Sequence, residues 1–410
     1  MSPVGHTSQS PGPPPASGAW KPGDPAGRRR FVTLFEDEPL RLEAGGSLGH
    51  VRVAYETWGE LDPDGSNAVL VEHALTGDSH ACGPAEPGHP FPGWWDGVVG
   101  PGKGIDTLRW FVVCPNVLGG CQGTTGPSSL GPAGRPFGSR FPLITIRDQV
   151  AVEAALAGAL GIERWAMVVG GSMGGMRALE WAVGYPNRVA SAAILACGSA
   201  ATAEQVALCS LQLAAIRSDP AFRGGDYYYS PDGWGPHRGM GWARRLGHLS
   251  YRSEIELQAR FGRRPQEEED PFRGGRYAVE SYLDHHAAKL AHRFDANSYM
   301  VLTEAMNHHD IGRGRGGIVA ALARVEAEVT VVGIDTDRLY PLRLQRDLTA
   351  LLPERPKVEV VTSLHGHDAF LIESESVGRV LQSALERITS PIRSDREGHR
   401  DTRCPALRGA

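Results

Sequence analysis

The sequence has no surplus of basic residues, no long hydrophobic run and few cysteines. Its 410 residues include 42 Lys and Arg against 47 Asp and Glu, which gives a formal net charge of −5. Proteins that hold a nucleic-acid backbone normally carry a basic surplus. No apolar run approaches the roughly 18 residues that a membrane-spanning helix needs. We therefore expect a chain with neither a nucleic-acid partner nor a membrane span.

Cysteine is scarce, with six residues and no CxxC pair. This number is too low for a disulfide scaffold, and no Cys/His cluster has the spacing of a zinc site. The N-terminal stretch also lacks the apolar segment of a secretory signal. The sequence therefore predicts a cytoplasmic protein without a bound metal.

Composition divides the chain into two tails and an ordered middle. Residues 1–30 are rich in Pro, Gly and Ser, and residues 389–410 are polar, so both are predicted to be tails without a fixed fold. Seven short apolar runs in the middle are typical of buried strands. They occupy residues 51–57, 67–73, 110–114, 165–169, 189–196, 329–332 and 358–361.

Helical patterns lie between several of these strands, for example at 173–183 and at 149–160, where Asp148 is a candidate N-cap. Alternating strands and helices predict an α/β fold with a mostly parallel sheet and helices on both faces. Residues 201–325 contain helical patterns but no strand-like run. We interpret them as a helical lid inserted into a core of residues 31–200 and 326–388.

A GGSMGG motif at residues 170–175 directly follows one strand and precedes a helix. A G-x-S-x-G pattern in this context is the nucleophile elbow, in which a strained turn presents the serine at a helix N-terminus. Glycine-rich turns also serve as plain connectors. The flanking strand and helix favour Ser172 as an active nucleophile.

A carboxylate and a histidine follow the last two strands. Asp335 and Asp337 both come after the strand near 329, and Asp337 is preferred because it stands four residues before Pro341. His367 is the predicted general base, with His365 as the alternative. The chain order Ser172, Asp337, His367 is that of the α/β-hydrolase fold. The pattern therefore predicts an enzyme that transfers acyl groups through a serine.

An oxyanion hole needs two backbone N–H groups near the nucleophile. Met173 should supply one, and Leu75 or Thr76 in the loop after the strand at 67–73 should supply the other. A metal reading of His73, Asp78 and His80 in the same loop is disfavoured, because their spacing matches no zinc pattern.

Several longer motifs resemble the homoserine O-acetyltransferase family over about residues 30–388. They are GGSMGG, HALTGDSH at 73–80, NVLGGCQGTTGP at 116–127, GIDTDRLYP at 333–341 and HGHDAFL at 365–371, with further matches at Arg244 and Tyr251. The resemblance implies acetyl transfer from acetyl-CoA to the hydroxyl of L-homoserine in methionine synthesis. It also implies a homodimer, with acetyl-CoA as co-substrate and no other cofactor.

The resemblance assigns the catalytic roles to Ser172, Asp337 and His367, and substrate binding to Arg244, Asp368 and, with less weight, Tyr251. A guanidinium suits the carboxylate of homoserine and a carboxylate suits its ammonium. Without the resemblance, Arg244 would be interpreted as a charged residue on the solvent-exposed face of a helix. Three alternatives stay open: transfer of succinyl or to serine, a serine esterase, and a non-catalytic binding protein. The GRGRGG segment at 312–317 could either approach a CoA phosphate or act as a hinge.

Overall fold

The computed structural model describes residues 14–389 and contains twelve strands in this range. They are β1 (Arg30–Leu34), β2 (Leu40–Arg41), β3 (Ser47–Leu48), β4 (Val51–Trp58), β5 (Ala68–Glu72), β6 (Val99–Gly100), β7 (Ile105–Asp106), β8 (Phe111–Pro115), β9 (Trp165–Gly171), β10 (Val189–Leu195), β11 (Glu328–Ile334) and β12 (Val358–Val361). Eight of them form one sheet in the order β1-β4-β8-β5-β9-β10-β11-β12. Strands β8, β5 and β9 to β12 pair in parallel, whereas β4 pairs antiparallel with both β1 and β8.

Eleven α-helices accompany the strands within the same residues. They are α1 (Ile146–Ala159), α2 (Met173–Gly184), α3 (Ala203–Arg217), α4 (His237–Tyr251), α5 (Glu254–Arg260), α6 (Ala278–Ala291), α7 (Ala296–Asn307), α8 (Ile318–Leu322), α9 (Leu342–Leu351), α10 (Ala369–Ile372) and α11 (Ser374–Thr389). Separate clusters of buried apolar side chains cover the sheet's two faces. None of these helices is both long and apolar enough to cross a membrane.

The predicted α/β class with a mostly parallel sheet is confirmed. Each of the seven predicted strands occurs, as β4, β5 and β8 to β12. Six of them, β4, β5 and β8 to β11, are mostly buried, as expected for strands covered on both faces, whereas β12 is mostly exposed or partly buried. The edge strand β1 was not predicted from the sequence. Its side chains are exposed or only partly buried, so its sequence lacks a continuous apolar run.

The start of α1 differs from the predicted one. The N-cap is Thr145, whose side chain accepts a hydrogen bond from the Asp148 amide, while the Asp148 carboxylate accepts one from the Thr145 amide. This reciprocal pair is a capping box, so Asp148 is the third helical residue. The predicted cap at Asp148 is wrong because the short-range signal fits either position.

The predicted N-terminal tail of residues 1–30 is wrong for residues 14–30. The Gly18 amide donates to the Phe294 carbonyl at 3.2 Å, and the Trp20 amide donates to the Cys121 carbonyl at 2.9 Å. The Ser17 hydroxyl donates to the buried Asp295 carboxylate at 2.7 Å. Pro and Gly suit an extended strap whose hydrogen bonds go to other parts of the chain. Residues 1–13 and 390–410, including most of the predicted C-terminal tail, lie outside the described residues.

Helices α3 to α8 all lie between β10 and β11. Within this insertion, α4 packs against both α3 and α6. The C-terminal residues of α4 also contact the loop that follows β12. The insertion therefore reaches the carboxyl edge of the sheet, where the loops after β5, β9, β11 and β12 converge.

Candidate active site

Ser172 stands at the turn between β9 and α2. Its backbone has φ 59° and ψ −121°, a strained conformation for a residue with a side chain. Glycine is required on both sides of it. A Cβ at Gly174 would lie 2.1 Å from the Glu72 carbonyl oxygen, and one at Gly170 would lie 2.5 Å from the Gly174 backbone. The GGSMGG sequence thus allows β5, β9 and α2 to approach closely beneath the serine.

His367 and Asp337 form a buried hydrogen-bonded pair. The His367 Nδ1–H donates to Asp337 Oδ2 at 2.7 Å. The other carboxylate oxygen accepts from the amides of Leu339 and Tyr340, both at 2.8 Å, which fixes its orientation. Burial lowers the pKa of His367, but the carboxylates of Asp337 and Asp368 together raise it, and the net pKa lies above its ordinary value. Nδ1 is thus committed to Asp337, and Nε2 remains free to exchange a proton.

The structure distinguishes the two alternative pairs at this site. The Asp335 carboxylate accepts from the Ser363 amide at 3.0 Å and lies at the surface. His365 is partly exposed, with Nδ1 3.5 Å from a carboxylate oxygen of Glu256. Neither residue belongs to the Asp337–His367 pair.

Two predicted oxyanion donors lie beside the serine. Met173 is the first residue of α2, so its amide belongs to the N-terminal turn that has no partner within the helix. Within residues 14–389, the amides of Leu75 and Thr76 make no hydrogen bond. Leu75 lines the cavities on both sides of Ser172. An amide in this loop is therefore available to an oxygen bound next to the serine.

A buried ion cluster holds the start of that loop. Arg177 of α2 is fully buried, and its Nη1 lies 2.7 Å from Glu72 and 2.6 Å from Glu153. Its Nη2 donates to the His73 carbonyl at 2.5 Å. Burial raises the pKa of Glu72 well above its usual range. The guanidinium thereby ties the loop after β5 to the helix that carries the nucleophile.

One cavity of about 290 Å³ is lined by two of the three predicted catalytic residues and by the three predicted substrate-binding residues. Ser172 and His367 lie on its wall together with Arg244, Tyr251 and Asp368. The first two come from the sheet's loops and Arg244 from the inserted helix α4. The cavity, here called the charged cavity, also exposes Arg252, Lys289 and Arg293.

Arg244 and its neighbour Arg245 have different surroundings. The Arg244 guanidinium stands 5.7 Å from the centre of the Tyr251 ring, and its buried Nε has no hydrogen-bond partner within residues 14–389. Arg245 instead forms an ion pair with Asp284 at 2.5 Å. Arg244 is therefore the cation of this pair that faces the cavity and is open to an anionic ligand.

Asp368 supplies the cavity's negative charge. Its carboxylate lies 3.3 Å from Arg252 Nε, and the Arg252 side chain also approaches Glu256. Burial raises the pKa of Asp368 above its ordinary value, although Arg252, His367 and Arg244 each oppose this shift. Asp368 directly follows His367 in the sequence, and both residues line the cavity. Asp368 can therefore hold a cationic group close to the base.

Sequence reasoning missed several residues of this cavity. Arg252, His248, His286, Lys289 and Arg293 all lie on its wall. Three of them lie on α6 or just after it, but the helical pattern within residues 201–325 does not indicate which side of a helix faces the sheet. The stacking of Tyr340 on His367, with ring centres 5.1 Å apart, also depends on tertiary packing.

The GRGRGG segment has no free cation for a phosphate. Arg313 pairs with Glu43 at 2.8 Å, and Arg315 pairs with Glu180. These ion pairs argue against a phosphate contact by this segment, since both of its arginines are already paired within the protein.

The end of α4 is fixed to the loop that carries His367. Gly366 has φ 64°, and a Cβ there would lie 2.6 Å from the Tyr251 carbonyl oxygen. The Ser253 hydroxyl donates to the Leu364 carbonyl in the same loop. Glycine is thus required at position 366 for two reasons, its positive φ and this close approach.

Within residues 14–389, one group of side chains could reach a common metal ion: Glu56, His80 and His89. Their atoms already have protein partners. Glu56 lies 2.9 Å from His80 Nδ1 and accepts from the Ser79 hydroxyl, while His89 Nε2 accepts from the Arg28 amide. Burial lowers the pKa of His80, but Glu56, the Pro84 carbonyl and Asp78 together raise it, and the net shift is upward. The arrangement suits an imidazolium paired with a carboxylate.

His73 and Asp78 do not join that group. His73 is fully buried, and its Nε2 accepts from the Val117 amide at 3.0 Å. Burial, reinforced by Arg177, lowers the pKa of His73 to about 3, so the ring is neutral. The disfavoured metal reading of His73, Asp78 and His80 therefore has no shared site in the structure.

Comparison with known proteins identifies the fold and the family. The model of the alpha/beta hydrolase fold family matches residues 67–374. A solved esterase, E22, superposes with a TM-score of 0.78 at 27% identity, covering 87% of this chain and 99% of its own. The fold is that of an α/β-hydrolase.

Two further comparisons narrow the class. A homoserine O-acetyltransferase of Thermobifida fusca is 60% identical over 373 residues, which are 91% of this chain and 98% of the relative. The crystal structure of a homoserine O-acetyltransferase from Bacillus anthracis has a TM-score of 0.79 at 29% identity, covering 88% of this chain and 97% of that one. The chain belongs to the homoserine O-acetyltransferase family.

Proposed function

We propose that the protein transfers the acetyl group of acetyl-CoA to the hydroxyl of L-homoserine, giving O-acetyl-L-homoserine and CoA. The observation that carries the proposal is the charged cavity. It places a serine nucleophile and a histidine base beside a guanidinium and a carboxylate of fixed position, Arg244 and Asp368. A zwitterionic amino acid with a reactive hydroxyl fits this set of groups.

The first half-reaction acylates Ser172. His367 Nε2 takes the serine proton as the hydroxyl oxygen attacks the thioester carbon, and the imidazolium is stabilised by Asp337. The amides of Met173 and Leu75 bind the developing oxyanion. The tetrahedral intermediate collapses by breaking the C–S bond, and His367 returns the proton to the CoA thiolate. The mechanism uses acetyl-CoA as co-substrate and no other cofactor.

The second half-reaction transfers the acetyl group. The homoserine carboxylate pairs with Arg244, and its ammonium pairs with Asp368. The hydroxyl then faces the acyl-serine, and His367 removes its proton as it attacks. Collapse of the second tetrahedral intermediate releases Ser172, which regains the proton from His367. Tyr251 packs beneath Arg244 and restricts the guanidinium to this orientation.

The donor enters from a second cavity of about 690 Å³ that adjoins the charged cavity. Both are lined by Thr76, Gly77, Trp94, Lys289 and Arg293. Lys289 lies over the Phe91 ring at 4.1 Å. Neither Lys289 nor Arg293 forms an ion pair within residues 14–389, so both can meet a phosphate of CoA. The pantetheine arm then passes over Thr76 and Gly77 to Ser172.

We also propose that residues 201–325 act as a lid on the core formed by residues 31–200 and 326–388. The lid supplies Arg244 and restricts water, which favours transfer over hydrolysis. From the family resemblance we further propose a cytoplasmic homodimer that acts in methionine synthesis.

The primary experiment measures release of the CoA thiol from acetyl-CoA with and without L-homoserine. We expect homoserine-dependent release, parallel initial-rate lines and an acetyl group trapped on Ser172. The Ser172→Ala variant is the control and should show no release. Intersecting lines with no trapped acetyl-enzyme would contradict the acyl-serine mechanism.

A serine esterase is the second candidate, because the structure also superposes on esterase E22. Water would then replace homoserine in the second step. The pair Arg244 and Asp368 argues against this alternative, since a neutral ester has no use for both charges. Thiol release that does not respond to homoserine would favour the esterase.

A further inference from the structure

Ser172 separates two cavities of different character. On one side lies the charged cavity with His367, Arg244 and Asp368. On the other side lies a cavity of about 40 Å³ whose wall also includes Ser172, Leu75 and Tyr251. We call it the small cavity. Its remaining wall consists of Ala201, Gln205, Leu208, Cys209, Gln212, Ser250, Met306, Asn307, Leu339 and Tyr340.

The geometry of acyl transfer decides what each cavity holds. The carbon attacked by Ser172 carries an oxyanion, a leaving group and the remainder of the acyl group. The oxyanion belongs at Met173 and Leu75. The thiolate of the donor and the hydroxyl of the acceptor must both reach His367, so both occupy the charged cavity. The remainder of the acyl group therefore points to the opposite side, into the small cavity.

The wall of the small cavity has no charged side chain. Its Cys209 thiol is neutral, because burial raises the pKa to about 12. Gln205 and Gln212 are already engaged, the first donating to the Leu339 carbonyl at 2.7 Å and the second accepting from the Tyr299 hydroxyl. A carboxylate placed here would lose its hydration without gaining a cation, which is strongly unfavourable.

We propose that the small cavity is the acyl subsite, that it accepts an uncharged acyl group of two carbons, and that Met306 and Cys209 limit the length of this group. The proposal rests on the acyl-Ser172 intermediate of the proposed function. The small cavity has about the volume that one water molecule occupies in the liquid, about 30 Å³, and this volume suits a methyl group. Succinyl is rejected on two grounds, its length and its charge.

The test uses p-nitrophenyl acetate, propionate and butyrate as donors, with the initial burst of p-nitrophenol and the mass of acyl-Ser172 as readouts. The wild type should acylate fastest with acetate. Met306→Ala should raise the butyrate-to-acetate ratio of acylation rates about tenfold, the usual scale for one or two methylenes in an apolar pocket. Met300→Ala is the matched control, since Met300 lies on the same helix and lines a different cavity. Its ratio should equal that of the wild type.

Cys209→Ala tests the same wall from α3 and guards against a folding defect in Met306→Ala. An unchanged ratio in both variants, or a wild type that takes butyrate as fast as acetate, would overturn the acyl subsite. The measurement needs no acceptor, so loss of homoserine-dependent transfer would overturn the proposed function alone. A wild type that forms no acetyl-Ser172 with p-nitrophenyl acetate would overturn both.

Discussion

The two cavities beside Ser172 perform recognition by opposite means. The charged cavity holds four cations and a carboxylate around a volume of about 290 Å³, and it reads its ligands by charge and hydrogen bonds. The small cavity has no charged side chain on its wall and selects its ligand by shape alone. The comparison shows how one serine can serve a large anionic donor, a zwitterionic acceptor and a small apolar acyl group. Substitutions on each side should therefore have separable effects.

The largest loss of activity should come from substitution of the Asp337–His367 pair, because this pair acts in both half-reactions. In Asp337→Asn the amide cannot stabilise the imidazolium and can hold the wrong tautomer of His367. We expect kcat to fall about 10⁴-fold. The loss should be the same for acetyl-CoA and for p-nitrophenyl acetate, because the pair acts on Ser172 itself. A normal circular-dichroism spectrum and melting temperature would exclude unfolding, and a loss below tenfold would contradict the role of Asp337.

A smaller and more selective loss of activity should follow removal of the positive charge that binds the acceptor homoserine. Arg244→Gln should lower kcat/KM for homoserine about 100-fold, as expected when one partner of a desolvated charge pair is lost. The rate of Ser172 acylation by p-nitrophenyl acetate should stay near that of the wild type. Arg245→Gln is the matched control, because Arg245 pairs with Asp284 instead. Equal losses in both variants would contradict the assignment of Arg244.

The pH dependence should sharpen the shared role of His367. The base must be neutral to act, so activity should fall as pH drops through the His367 pKa. Burial lowers this pKa, whereas the carboxylates of Asp337 and Asp368 raise it, and the net shift is upward. The acid limb of kcat/KM should therefore lie above the ordinary pKa of histidine and move to lower pH in Asp337→Asn. A limb that stays at the same pH would argue against the pair.

The smallest effect should come from the entrance used by the donor. Lys289→Gln should raise KM for acetyl-CoA severalfold, since an exposed phosphate contact contributes on the order of 1 kcal/mol. S-acetyl-N-acetylcysteamine, a thioester without phosphates, should react equally well with both proteins. Lys103→Gln is a suitable control, because Lys103 pairs with Asp96 and lines neither the charged cavity nor the adjoining cavity of about 690 Å³. A KM change for the short donor would contradict the phosphate contact.

The sheet and the hydrogen-bonded pair could be predicted from the sequence more fully than the surrounding walls. Buried strands carry continuous apolar runs, and the order Ser172, Asp337, His367 places all three side chains at one edge of a parallel sheet. Choosing Asp337 over Asp335 needed only the distance to Pro341. These features depend on local sequence and on the direction of the strands.

The inserted helices were predictable as helices but not as walls. Arg244 and Arg245 are neighbours on α4, yet one faces the cavity and the other pairs with Asp284 on α6. Which of them faces inward depends on how α4 packs between α3 and α6, and that contact is not encoded in a period of 3.6 residues. The strap at residues 14–29 was missed for a related reason. Its hydrogen-bond partners, such as Phe294, are distant in sequence.

The fixed junction between α4 and the loop of His367 has a consequence for water. Gly366 packs beneath the Tyr251 carbonyl, and Ser253 bonds to Leu364, so the end of α4 cannot rise from the sheet without breaking these contacts or pulling the loop along. A rise of this helix end that keeps the contacts therefore moves the loop of His367 with it. In that case water that enters along this side meets an acyl-serine whose base has left its position.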